Sequence, residues 1–138
     1  MSSSRWVCLL VLISALSACE HGDPLTGGPD EGLQPTLASI QEHIFSTTCA
    51  LSNCHVGLNA QLGLDLSEGN ARQSLVDVPS ARVPNLLRVE PGNAADSYLI
   101  LKLEGDARID GSRMPLGGTP LSMEEIQVVR AWIDGGAE

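Results

Sequence analysis

Cys49-Ala50-Leu51-Ser52-Asn53-Cys54-His55 puts two thiols and an imidazole within seven residues. On a helix, residues three apart point about 60° apart around the axis, and residues five apart about 140°. Cys49 and Cys54 therefore cannot face one side from an unbroken helix. Ala50 to Asn53 must loop outward, and Ser52 and Asn53 suit a turn through local side-chain hydrogen bonding. Leu51 would then face a bound group or the core. A helix feeds this stretch. Leu37, Ile40 and Ile44 fall on one helical face, Thr36 can cap its start, and Phe45 adds bulk near its end. Thr47 and Thr48 weaken the helix just before the first cysteine.

The N-terminus points to a compartment. Arg5 is followed by an almost continuously apolar run from Trp6 to Leu16, the pattern of a secretory leader and short for a membrane span. It ends in Leu16-Ser17-Ala18-Cys19, which looks like the lipobox of bacterial lipoproteins, with Cys19 as the lipidated residue. The expected organisation is a lipoprotein signal peptide over 1–18, a flexible tether rich in Gly, Pro and acid over 19–35, and one domain over 36–138. Two or more acyl chains would anchor the protein stably outside the cytoplasm. Glu20, rather than the Asp that retains lipoproteins at the inner membrane of enteric bacteria, favours the outer membrane.

Of four cysteines, Cys8 lies in the leader and Cys19 in the lipobox, so Cys49 and Cys54 are the only remaining pair. In an oxidising compartment that pair should be bonded to a cofactor, to a metal or to itself. The formal net charge is −9, and losing Arg5 makes it more negative. That argues against nucleic-acid binding, which needs a basic surface. It fits a basic redox partner, although an acidic surface also serves solubility. Phe45, Tyr98 and Trp132 are the aromatic residues of the domain, a modest payload for its core.

Further along, Leu62, Leu64 and Leu66 alternate with Gly63, Asp65 and Ser67, predicting a short strand or extended run. Ser67-Glu68-Gly69-Asn70 predicts a turn and Ala71 to Val76 a brief helix, with Leu75 and Val76 inward. Pro79 and Pro84 make 78–88 mostly loop, and Pro91-Gly92-Asn93 a turn. Ser97 is placed to cap a helix from Tyr98 to Leu103, ending near Gly105. The last helix is the best specified. Ser122 and Glu125 have capping-box spacing, Leu121 and Ile126 can form a hydrophobic staple, and Gly135-Gly136 ends the run.

Cys54-His55 meets the second half of the haem-attachment pattern. The first half departs from it, with four residues between the cysteines instead of two. Each thiol would bond one vinyl group of a single haem c, and His55 would ligate the iron. Met114, in a Gly-rich loop before Pro115, has no evident core role and is the candidate sixth ligand. His43 and Met123 compete with it, His43 reading as a surface or capping residue and Met123 as a packing residue of the last helix. His21 lies in the tether.

From Leu37 to Gly136 the sequence resembles the small monohaem class I cytochrome c lipoproteins, in a variant group with four residues between the haem cysteines, similar to proteins of myxobacteria and related bacteria. The resemblance rests on Cys49, Cys54, His55, Gly63-Leu64-Asp65-Leu66, Pro91 to Lys102, Met114-Pro115 and Ser122 to Gly136. It implies a mostly α, cytochrome c-like domain with crossing N- and C-terminal helices, long loops and room for one short strand pair. It also implies that Trp132 packs near the haem, with Phe45 helping to keep water out. The function expected is that of an electron carrier rather than an enzyme, exchanging single electrons with redox proteins. No small-molecule substrate is expected. The competing readings are a structural or binding lipoprotein with a Cys49–Cys54 disulfide, a copper protein using the thiols, His55 and Met114, and a haem enzyme.

Overall fold

A computed structural model describes residues 32–138. The leader, Cys19 and the tether up to residue 31 lie outside the described residues. Those described are mostly helical. They form α1 (Leu37–Ile40), a π-helical continuation (Gln41–Cys49), α2 (Ala71–Leu75), α3 (Tyr98–Glu104) and α4 (Met123–Asp134), with 3-10 turns at Gly57–Asn59 and Gln61–Gly63. No helix among them is long and apolar enough to cross a membrane.

Thr36 caps α1 as expected, its hydroxyl accepting from the Ser39 amide at 3.3 Å. Contacts with the domain begin before that cap. Leu33 packs against the core and the Gln34 amide donates to Ser39 Oγ at 2.9 Å, so the end of the expected tether is tied to the domain. From Gln41 the helix widens to π register, where an α-helix was expected throughout. Side chains compete for its carbonyls. The Thr47 hydroxyl donates to the His43 carbonyl at 2.7 Å, and His43 Nδ1 lies 2.9 Å from the Ser39 carbonyl. Such contacts take acceptors that the α register would give to backbone amides.

The strand expected over Leu62 to Leu66 does not form. Leu62 and Gly63 both take left-handed conformations, with φ of 58° and 64°, and turn the chain back on itself. Its hydrogen bonds go to the cysteine loop instead: Gln61 N–H donates to the Cys54 carbonyl at 2.9 Å, and Leu66 N–H to the His55 carbonyl at 2.9 Å. Among the described residues, sheet-like pairing is limited to two isolated bridges, Val76 with Val89 and Pro79 with Leu87.

α1 and α3 both pack on α4. Their shared core contains Ile40, Ile44, Phe45, Ile100, Leu103, Ile126, Val129, Trp132 and Ile133. Buried Gln41 joins the first helix to the middle of the chain, donating to the Leu66 carbonyl at 2.9 Å. The Pro91 turn is pinned to the end of α4, where Asp134 Oδ1 accepts from Ala94 N–H and the Ile133 carbonyl from Gly92 N–H, both at 2.8 Å. Ser97 does not cap α3 with its side chain. The buried hydroxyl accepts from Glu90 N–H at 2.8 Å and donates to the Asn93 carbonyl at 2.9 Å, closing the same turn.

The capping box of α4 is complete. Ser122 Oγ accepts from Glu125 N–H at 3.2 Å, and Glu125 Oε2 accepts from Ser122 N–H at 2.7 Å. Leu121 and Ile126 are both buried, as a staple requires. Ser122→Ala should cost about 1 kcal/mol of stability, the usual worth of a hydroxyl cap, measured as a lower urea midpoint with unchanged slope.

Candidate functional site

The π-helical segment ends at Cys49, and the Ala50 amide closes its last turn on the Phe45 carbonyl at 2.7 Å. The chain then loops outward. Cys54 N–H donates to the Leu51 carbonyl at 2.9 Å, with Asn53 in a left-handed conformation (φ 67°), and His55 N–H returns to the Cys49 carbonyl at 3.2 Å. The extra length between the cysteines is therefore absorbed as a closed turn. Both thiols are free; Cys49 is half-buried and Cys54 exposed.

Cys49, Cys54, His55 and Met114 all line one cleft of about 870 Å³, within the range of small-molecule and cofactor sites. Its walls include Leu64, Leu66, Leu75, Leu99 and Leu103, and exposed Leu51, Leu62 and Leu116 stand at the same cleft. Among the described residues no Asp or Glu lines it, whereas Arg82, Arg88 and Lys102 do. Asp110, outside the lining, pairs with Arg82 at 3.4 Å.

His55 Nδ1 lies 3.2 Å from the Leu64 carbonyl. A carbonyl only accepts, so this contact favours the tautomer with the proton on Nδ1 and the lone pair on Nε2. Burial pulls the imidazole pKa below the usual histidine value, against the opposing pull of the Leu64 and Gln61 carbonyls. The neutral ring is the form that ligates a metal. Burial, with smaller contributions from Cys54 and Glu125, pushes the Cys49 thiol up to about 12. It stays protonated at neutral pH, which makes it a poor nucleophile within the folded chain.

Met114 reaches the cleft from a loop tied to α3. Its amide donates to the Lys102 carbonyl at 2.9 Å, and Lys102 Nζ donates to the carbonyls of Asp110 and Ser112. Arg113 Nε donates to the Leu103 carbonyl at 2.6 Å, and Asp110 N–H to the Tyr98 hydroxyl at 3.1 Å. The competing ligands lie elsewhere. His43 is exposed on the first helix, and Met123 is 82% exposed rather than packed. Neither lines the cleft.

Phe45 and Trp132 are buried in the shared core and do not line the cleft either. Trp132 Nε1 donates to the Glu138 carbonyl at 2.9 Å. The cleft receives its apolar wall from leucines, with Tyr98 as its aromatic residue. Tyr98, Arg88 and Lys102 escaped sequence reasoning as cleft residues. Lys102 had left a trace, as the only lysine of the chain within the apolar run of α3. Among the described residues no three His, Cys, Asp or Glu side chains converge closely enough to cage a metal ion.

Asp65 organises the floor of the cysteine loop. Its carboxylate accepts from Gly57 N–H and Ser67 N–H, each at 3.0 Å, from Ser67 Oγ at 2.6 Å and from Asn70 Nδ2 at 3.0 Å. These bonds, led by the Ser67 hydroxyl, hold its pKa below the usual carboxylate value. A depressed carboxylate stabilises the fold above its unfolded pKa, and that stabilisation fades as pH falls through the lower, folded value. Gly57 and Ser67 amides should therefore exchange faster, relative to core amides, as pH falls below about 4, the ordinary carboxylate range. Asp65→Asn should show the faster exchange already at neutral pH and no such acid transition.

Compared with protein-family models, curated proteins and solved structures, the chain matches none of them.

Proposed function

We propose that this chain is a membrane-anchored, monohaem c-type cytochrome that carries single electrons between redox proteins. The observation that carries the reading is that Cys49, Cys54, His55 and Met114, from two distant parts of the sequence, line one apolar cleft without a carboxylate. The donor chemistry fits the group. Two thiols can form thioethers, the free Nε2 of a neutral imidazole can ligate iron, and a thioether can ligate it as well. An apolar wall suits a flat, apolar molecule; of the cations beside it, Arg82 pairs with Asp110 at 3.4 Å, and Arg88 and Lys102 donate to backbone carbonyls.

Haem, when bound, supplies one iron that takes up and gives back a single electron. His55 and Met114 would both ligate the iron and leave no open site for a substrate, which favours electron transfer over catalysis. The Met114 sulfur would favour the ferrous state. Leu64, Leu66, Leu75 and Leu103 would exclude water and lower the local dielectric. In this reading the contact of α1 with α4 corresponds to the crossing terminal helices of cytochrome c folds. Lipidation at Cys19 would hold the domain outside the cytoplasm, at the outer membrane, with the residues after it giving reach.

Reduced-minus-oxidised spectra of the chain produced with haem-maturation machinery test the function. The expected result is a sharp low-spin ferrous spectrum, with no change on adding small exogenous iron ligands. A high-spin spectrum that responds to such ligands would indicate an open iron position and a haem enzyme instead.

A further inference from the structure

Arg88 uses its side chain in an unusual way for a cation at a cleft. Its guanidinium donates to three backbone carbonyls, Ser74 at 2.7 Å, Leu62 at 2.8 Å and Gly63 at 3.2 Å. The ion pairs among the described residues do not include it. A planar guanidinium presents five N–H donors in a fixed fork, so one side chain can tie two separate segments together. Here it ties the 62–63 turn to the C-terminal part of α2. Its own backbone is fixed on both sides, Arg88 N–H donating to Val78 at 2.7 Å and Leu99 N–H donating to the Arg88 carbonyl at 2.9 Å.

The tied turn needs such a restraint. Leu62 has a φ of 58°, a left-handed conformation that a branched side chain disfavours and that persists only where its surroundings enforce it. The very next carbonyl after Leu62 and Gly63 is that of Leu64, which accepts from His55 Nδ1.

We propose that Arg88 is the positioning residue for His55: it holds Leu62 and Gly63 in their left-handed turn, so that the Leu64 carbonyl accepts a hydrogen bond from Nδ1–H and the neutral ring keeps its lone pair on Nε2. Partners of this kind around a ligating histidine set its tautomer and ring orientation. The proposal rests on the haem reading only for what Nε2 meets.

The test is long-range proton–nitrogen spectroscopy of the imidazoles in the nitrogen-labelled full chain, both without haem and in the ferrous, haem-loaded form. The unsubstituted chain should show His55 with its proton on Nδ1. In Arg88→Met the haem-free chain should become a mixture with the Nε2-protonated tautomer. In the haem-loaded chain the Nδ1 proton should exchange about tenfold faster, the factor expected from losing one hydrogen bond. Arg88→Lys keeps the charge without the fork and should fall between the two. Arg130→Met removes an ion pair with Glu104 at 2.8 Å that does not touch the cleft, and should change neither readout. Arg88→Met with the unsubstituted tautomer and exchange rate would overturn the proposal, as would an equal shift in Arg130→Met. Should Arg88→Met fail to fold, an unshifted Arg88→Lys overturns it. A chain that takes up no haem, yet shows the Arg88-dependent tautomer, would sink the haem reading and leave the role of Arg88 standing.

Discussion

Met114→Ala, loaded with haem, is expected to lose the weak near-infrared sulfur-to-iron band and to show a reduction potential lower by on the order of 0.1 V, within the roughly 0.8 V range that axial ligands control. The expectation follows from geometry. Met114 is the only methionine lining the cleft among the described residues, and its amide is fixed to the Lys102 carbonyl. Alanine offers no donor atom, so the ferrous form loses the ligand that favours it. Met123→Ala is the matched control, because Met123 is exposed in the first turn of α4 and outside the cleft. A band that survives in Met114→Ala and disappears in Met123→Ala would transfer the role.

Trp132→Ala is expected to cost about 3–5 kcal/mol, the usual range for emptying a buried aromatic site, out of a total domain stability of roughly 5–15 kcal/mol. Trp132 is 3% exposed, sits in the core shared by α1, α3 and α4, and ties the chain end through Nε1 to Glu138. Urea denaturation should show a much lower midpoint with the slope retained. Because Trp132 does not line the cleft, haem-loaded Trp132→Ala that remains folded should keep its visible spectrum. A loss of less than about 1 kcal/mol, the range of ordinary surface substitutions, would contradict the burial.

These two residues also show where sequence reading carries and where it stops. Met114 was conspicuous because a thioether in a Gly-rich loop has no packing role to explain it, and the structure brings it to the cleft with both cysteines and His55. Trp132 carried a role by resemblance, packing near the cofactor; it lies in the core between helices and outside the cleft lining. Helical period can place a residue on a face but cannot say what lies opposite it.

The capped last helix was fully legible, because a capping box is a local arrangement of side chain and backbone within four residues. The segment from Leu62 to Leu66 was misread for the complementary reason. Its alternation of leucines with small and polar residues is a strand pattern, yet its hydrogen bonds run to His55, in the preceding loop, and to Arg88, far along the chain, and not to a neighbouring strand. The π register before Cys49 was equally hidden, since it depends on which carbonyls His43 and Thr47 engage. The outward turn between the cysteines was legible, because the angular mismatch of five helical residues demands it.

The most direct measurement is a haem stain of the denatured chain on a gel, after production with haem-maturation machinery, alongside a Cys49→Ala, Cys54→Ala double variant. Thioether attachment survives denaturation, so the account predicts a stained band at the mass of the unsubstituted chain and none for the double variant. A colourless chain whose Cys49 and Cys54 are joined in a disulfide would contradict it.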